Sequence, residues 1–221
     1  MTLHCINLPR AVERRQQIEQ HWRKQQGFDL KFFPAFDRRE IEAGAKLPFH
    51  YDAEATINRI KRPLSSAEIA CAISHTLLLR QALASGQDDL LVLEDDMVPT
   101  SMTTPDSVAD AIATCKAEFP RVSVLLMHES AGPVSIVETK AGIQLLRRAP
   151  YGYRFVWLSR KAMEILARDL ATLYYPADWL WSLRFAPMKN VAMLAKPLAH
   201  HPGNQTYIGN SFRAGTRIYL P

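Results

Sequence analysis

This chain of 221 residues has no run approaching the eighteen or so consecutive apolar residues that span a bilayer, so no transmembrane helix is expected. Its opening segment, MTLHCINLPRAVERR, has neither a long apolar core nor a small-residue cleavage site, so no secretory signal is expected. Cysteine is scarce. Cys5, Cys71 and Cys115 are odd in number and none lies in a C-x-x-C, which excludes a disulfide-stapled miniprotein and reads as three reduced core thiols of a cytosolic protein. Repeats and low-complexity tracts are also missing. With 48% hydrophobic and 22% charged residues, the composition is that of a folded protein, and the length suits a single domain over residues 1–221.

Acidic residues are missing from one end. None follows Asp178, whereas Arg184, Lys189, Lys196, Arg213 and Arg217 do, so the net charge of +5 belongs to that final stretch. Such an end serves as a solubilising tail, or meets a phosphate-bearing ligand, an anionic membrane or nucleic acid. The basic residues are dispersed, with no zinc-ligand spacing, RNP motif or helix-turn-helix signal. No nucleic-acid partner is expected.

What is present alternates strands with amphipathic helices. Leu3–Leu8 reads as a first strand, and Ala11–Gln26 as a helix with Ala11, Arg15, Ile18 and Trp22 on one face, ended by Gly27. Leu30–Phe33 is a second strand, after which the pattern weakens from Asp37 to Pro63. Ser65 and Glu68 form a capping box that opens a helix running to about Gly86. Leu90–Leu93 is a uniformly apolar run that suits a strand buried on both faces. Thr104-Pro105-Asp106 starts a helix to Phe119, followed by a strand over Val122–Met127. Val134–Val137 and Ile143–Leu146 make a hairpin, Tyr153–Leu158 a strand, and Ser159 caps a helix to about Leu173. One or two helical turns are expected over Asp178–Phe185. The chain is therefore α/β, with a mixed central sheet flanked by helices.

The chemistry concentrates at Leu91-Val92-Leu93-Glu94-Asp95-Asp96. Here a buried strand runs into three carboxylates at the edge where α/β ligand sites form. Adjacent negative charges repel, and partial burial raises at least one pKa unless a cation is held there. Strand alternation would put Glu94 and Asp96 on one side and Asp95 on the other, two oxygen donors suited to Mn²⁺ or Mg²⁺. The plainer reading is that these acids turn the chain toward water.

Five segments in order bear a resemblance that lifts the first reading. Ile6-Asn7-Leu8-Pro9-Arg10 with Arg14-Arg15, Leu64 through His75, Leu91 through Asp96, Tyr153 through Ala162, and Pro176-Ala177-Asp178 together resemble the motifs of glycosyltransferase family 25, the lipooligosaccharide galactosyltransferases and their relatives. Ala67 stands where the family usually has glycine, and Arg154-Phe155-Val156-Trp157 is bulkier than the usual run. These departures bear on the substrate more than on the acidic groups.

The resemblance implies a GT-A-like nucleotide-sugar transferase fold, with a donor half at about 1–127 and an acceptor half at about 128–221. It implies an inverting transfer of a hexose, galactose by expectation, from a UDP-sugar to a bacterial lipooligosaccharide, lipopolysaccharide or related glycan. Asp96 and Glu94 would bind Mn²⁺ or Mg²⁺, with Glu94 or Asp95 also contacting the donor. Asn7, Arg10 and Arg14 would meet the uridine and diphosphate, since guanidinium donors suit phosphate. Asp178, beside Trp179 and Trp181, would be the general base, or else a helix cap. Glu129 is the second candidate for the base. Ser74 lies on the capped helix with His75, which suits either a donor contact or an interior position. One of His200 and His201, by preference His201, would add a third metal ligand or remain a loop residue. Arg213 in the basic tail would fold over the diphosphate, or the tail would hold the protein against the anionic inner membrane as a peripheral contact. The expected location is cytoplasmic. A metal-dependent hydrolase of sugar-phosphate or phosphodiester bonds is the alternative, using the same carboxylates.

Overall fold

A computed structural model describes residues 1–129, 134–150, 152, 154–179 and 185–202, with the Asp178 side chain outside that description. In chain order the elements are β1 (Thr2–Asn7), α1 (Val12–Arg23), β2 (Asp29–Pro34), α2 (Arg38–Glu42), β3 (His50–Tyr51), α3 (Ala53–Ile60), α4 (Ser66–Ala84), β4 (Asp89–Glu94) and β5 (Val98–Pro99). They continue as α5 (Pro105–Glu118), β6 (Val124–Leu126), β7 (Ser135–Lys140), β8 (Ile143–Arg148), β9 (Phe155–Ser159), α6 (Arg160–Asp169), β10 (Thr172–Leu173), a 3₁₀ turn at Ala177–Trp179, β11 (Val191–Leu194) and β12 (Ala199–His200).

Eight strands form one mixed sheet in the order β2-β1-β4-β9-β6-β11-β8-β7. The run β2-β1-β4 is parallel, β9 enters antiparallel between β4 and β6, and β6 pairs parallel with β11. Strands from both ends of the chain interleave in this sheet. Two small pairings sit outside it, β3 with β10 and β5 with β12.

β4 shows why the sheet is buried on both faces. Its alternate residues Leu90 and Val92 pack with Ile73, Leu78 and Met163 from α4 and α6, while Leu91 and Leu93 pack with Ile18, Trp22, Val108 and Cys115 from α1 and α5. The helices begin where local chemistry directs. Ser65 and Glu68 cap α4 reciprocally, Thr104 caps α5 ahead of Pro105 at its first turn, and Ser159 caps α6. Gly27 follows α1 at φ +91°, where a Cβ would lie 2.9 Å from Pro105 Cγ.

Several expectations are corrected. The segment from Asp37 to Pro63 contains α2, β3 and α3, elements too short to show clear periodicity. The helix expected to reach Leu173 ends at Asp169, and Thr172–Leu173 forms a strand instead. β11, with all four residues buried, is a strand not read from the sequence, and it lies inside the sheet between β6 and β8. On α1 the inward face carries Arg14, Ile18 and Trp22, successive i, i+4 positions, whereas Arg15 is exposed with its guanidinium 4.2 Å from the Phe32 ring centre.

Candidate functional site

β1 and β4 lie side by side and parallel, with Ile6 opposite Glu94. From β1 the chain departs through α1 to β2 on the far side, so a crevice opens beyond the carboxyl ends of β1 and β4. Asn7 ends β1 and Glu94 ends β4, which puts the acidic run at that crevice.

β4 stops at Glu94. A turn follows, with the Met97 amide donating to the Glu94 carbonyl at 3.3 Å, and the expected alternation of Glu94, Asp95 and Asp96 stops with the strand. Glu94 keeps the parity of Leu90 and Val92 and faces α4, where its Oε1 lies 3.7 Å from His75 Nε2. Asp95 instead accepts from two sides, from Asn7 Nδ2 at 2.7 Å and Arg14 Nη1 at 2.6 Å. Asp96 Oδ2 lies 3.2 Å from His201 Nε2 and 3.8 Å from Arg14 Nη2. Its Oδ1 is buried with no hydrogen-bond partner among the described residues.

The surrounding elements hold this turn in place. Trp22 of α1 donates its Nε1 hydrogen to the Met97 carbonyl at 3.0 Å and packs edge-on against Phe155. Antiparallel pairing of β12 with β5 sets His200 opposite Val98, so the next residue, His201, is delivered to the acidic turn.

Electrostatics follow from this crowding. Burial pushes the Glu94 carboxyl up to about 7, with Asp95 adding to the shift and Arg154 and Arg14 opposing it. Burial also raises Asp95, against Arg14 and Asn7, and raises Asp96, with Glu94 adding and His201, Arg14 and Arg154 opposing. Three carboxyls held above their ordinary range mark a site whose resident guanidinium groups only partly compensate its negative charge. The His75 imidazole, 2% exposed, is pushed by burial down to about 3 and is neutral at working pH.

The structure thus brings together Asn7, Arg14, His75, Glu94, Asp95, Asp96 and His201. Arg10 instead bonds Asp37, the cap of α2, and holds its carboxyl below the usual range. Ser74 is buried, donating to the Ala70 carbonyl at 2.7 Å and accepting from the Phe36 amide at 2.9 Å. Glu129 is exposed just beyond β6, its amide bonded to Ala199. The backbone of Asp178 lies in the 3₁₀ turn, but its side chain and all of Arg213 fall outside the described residues.

Three residues escaped the sequence reading. Arg154 acts electrostatically on Glu94, Asp96 and His128, and nothing in the sequence ties it to them. His128 is 1% exposed; its Nδ1 meets the Phe155 carbonyl at 3.1 Å, and its Nε2 is buried without a hydrogen-bond partner among the described residues. Cys71, unlike the fully buried Cys5 and Cys115, is half-buried and clusters with His75 and Glu94. Its C-x₃-H spacing was the available signal.

An α/β protein whose carboxylates and guanidinium groups converge beyond the carboxyl ends of two parallel strands carries its polar cluster where ligand sites of this fold class form. Comparison with known proteins gives the family. The sequence profile "Glycosyltransferase family 25 (LPS biosynthesis protein)" matches residues 1–111, and the chain belongs to this family. A "Glycosyltransferase 25 family member" of Aedes aegypti is 35% identical over 102 residues, covering 43% of this chain and 16% of that protein. The "Lacto-N-neotetraose biosynthesis glycosyltransferase LgtB" of Neisseria meningitidis serogroup A is 28% identical over 192 residues, covering 81% of this chain and 66% of that one. The chain therefore spans less than two thirds of either relative's length. Among solved structures, a glycosyltransferase involved in glycosylation of the major capsid of PBCV-1 aligns over 93% of both chains at TM-score 0.49 and 10% identity. That similarity bears on neither substrate nor mechanism. No described helix is long and apolar enough to cross a membrane.

Proposed function

We propose that the chain is an inverting, GT-A-like glycosyltransferase that moves a hexose, galactose in the first instance, from a UDP-sugar to a lipooligosaccharide, lipopolysaccharide or related glycan acceptor on the cytoplasmic side of a bacterial envelope. Family membership supports transfer chemistry. The observation that carries the reading is Asp96 Oδ1, which has no hydrogen-bond partner among the described residues and is buried among carboxyls of raised pKa at the β1–β4 crevice. A buried acceptor without a donor is costly, and a hard divalent cation with oxygen-rich ligands relieves it.

Asp96 and His201, 3.2 Å apart, would hold Mn²⁺ or Mg²⁺, and Glu94 would join them by turning from its place beside His75. When bound, the cation neutralises charge that develops on the departing nucleoside diphosphate. Arg14, braced against Asp95, keeps a guanidinium at the same crevice. Asn7 and Arg14 act in this reading as positioning residues that fix the acidic turn. Asp178 takes the acceptor hydroxyl proton as the sugar carbon inverts in a single displacement, and Glu129 is the reserve for that role. The basic residues of the C-terminal end, Arg213 among them, serve the diphosphate or an anionic lipid surface.

The test is transfer itself. Purified protein is incubated with Mn²⁺, a panel of UDP-sugars and lactose- or N-acetylglucosamine-terminated acceptors, and products are read by mass spectrometry. The expected product is an acceptor heavier by one hexose, with inverted anomeric configuration. Consumption of UDP-sugar at equal rates with and without acceptor would move the reading to a hydrolase.

A further inference from the structure

The Cys71, His75 and Glu94 cluster lies on the α4 side of the crevice. Cys71 and His75 are one helical turn apart on α4, an i, i+4 spacing that puts both on one helix face. β4 parity delivers Glu94 to the same face. One ligand atom from each of the three lies within 4.8 Å of the others. His75 Nε2 and Glu94 Oε1 are already 3.7 Å apart. Zinc–ligand bonds of about 2.0–2.3 Å in a tetrahedron require ligand separations of roughly 3.4–3.6 Å, so side-chain adjustments of a few tenths of an ångström close that pair.

We propose that Cys71, His75 and Glu94 form a second divalent-cation site, distinct in chemistry from the one at Asp96, which takes a borderline-soft metal of the zinc class. The ligand types decide the class. Sulfur and imidazole nitrogen with one carboxylate suit zinc, whereas Mg²⁺ and Mn²⁺ favour oxygen. Three protein ligands leave a fourth position open. Glu94 is common to this site and to the hard-cation set, so a zinc-class ion would hold its carboxylate toward α4 and leave Asp96 and His201 to the second cation. The site thus gives the crevice a means of responding to a metal that is not its working cation.

The test uses the whole metal-stripped protein titrated with Co²⁺, a spectroscopic stand-in for zinc. The expected result is a thiolate-to-cobalt charge-transfer band that saturates at one metal per chain, is displaced by Zn²⁺, disappears in Cys71→Ser and persists in Asp96→Asn. The Asp96→Asn arm separates this proposal from the transferase reading, because it removes the hard-cation ligand while sparing the cluster. Absence of the band in the wild type, or its survival in Cys71→Ser, would overturn the proposal. Should Cys71→Ser fail to fold, the wild type serves alone: stoichiometric zinc should protect Cys71 from iodoacetamide by at least tenfold in rate, read by peptide mass mapping. Equal labelling with and without zinc would equally overturn it.

Discussion

Asp95 and Asp96 are adjacent, chemically identical and oppositely employed, so the same isosteric change should affect them differently. Both Asp95 oxygens accept, one from Arg14 at 2.6 Å and one from Asn7 at 2.7 Å. An asparagine offers one acceptor, so in either orientation Asp95→Asn sets an amide donor against a donor. The lost charge-assisted bond is worth about 1.5–3 kcal/mol, and the donor left unsatisfied costs about 1–3 kcal/mol more. Relief of repulsion from Asp96 returns part of this, leaving a net loss of about 3 kcal/mol. For a chain of this size, about 2–4 °C per kcal/mol gives a Tm lower by about 6–12 °C. Asp96→Asn meets a different environment. Its Oδ1 has no partner among the described residues, so the amide nitrogen can stand there while the oxygen faces His201. Removing that charge also relieves Glu94, and stability should stay within about 1 kcal/mol of the wild type. The assay is thermal denaturation in EDTA of both variants and the wild type. Equal losses, or a larger loss for Asp96→Asn, would refute the division of the pair into one structural and one ligand-facing acid.

Glu68 supplies a pH test. Burial works to raise its pKa, but the Arg62 guanidinium at 2.6 and 2.8 Å and the Ser65 cap outweigh it, and the carboxyl sits below its ordinary 4.5. The unfolded chain therefore binds the proton first. The stabilisation is fully present above pH 4.5 and is lost as pH falls through the lower folded value. Glu68→Gln should cost about 1–2 kcal/mol at pH 7, and the gap to wild type should shrink in denaturation curves below pH 4; a gap that holds constant would count against the pair. Gly27→Ala should destabilise by about 1–2 kcal/mol, since φ +91° is strained for alanine and its Cβ meets Pro105, as urea midpoints will show. Asp178→Asn should lower transfer by about 10²-fold with UDP-sugar affinity unchanged, and a fully active variant would move the base to Glu129.

Much of this was legible in local pattern. The apolar run of β4 announced burial on both faces because no polar residue interrupts it, and Ser65, Thr104 and Ser159 marked helix starts through side-chain capping that needs no tertiary context. The acidic turn was visible as a cluster, but its internal division was not. Alternation holds only while the strand lasts, and β4 ends at Glu94. Arg14 shows the limit of reading one helix face at a time: its inward direction is set by Ile18 and Trp22 packing under the sheet, one residue out of step with the face assigned from the sequence. Arg154 and His128 were hidden because they join the site through β9, an antiparallel strand inserted between β4 and β6 that local pattern does not place. The cysteines looked alike in the sequence. Burial pushes the Cys115 thiol up to about 12 and also raises Cys5, while Cys71 is set apart from them by its half-buried place on α4 beside His75 and Glu94.

If the crevice beyond β1 and β4 binds a nucleotide sugar with the help of a hard cation held by Asp96, binding must depend on both. Calorimetric titration with UDP and then with a panel of UDP-sugars, in Mn²⁺ and in EDTA, on the wild type and Asp96→Asn, tests it directly. The expected result is binding of UDP that strengthens with Mn²⁺, discriminates among the sugars in favour of UDP-galactose, and loses its metal dependence in Asp96→Asn. Absence of UDP binding in both conditions, or a metal dependence that Asp96→Asn leaves intact, would contradict it.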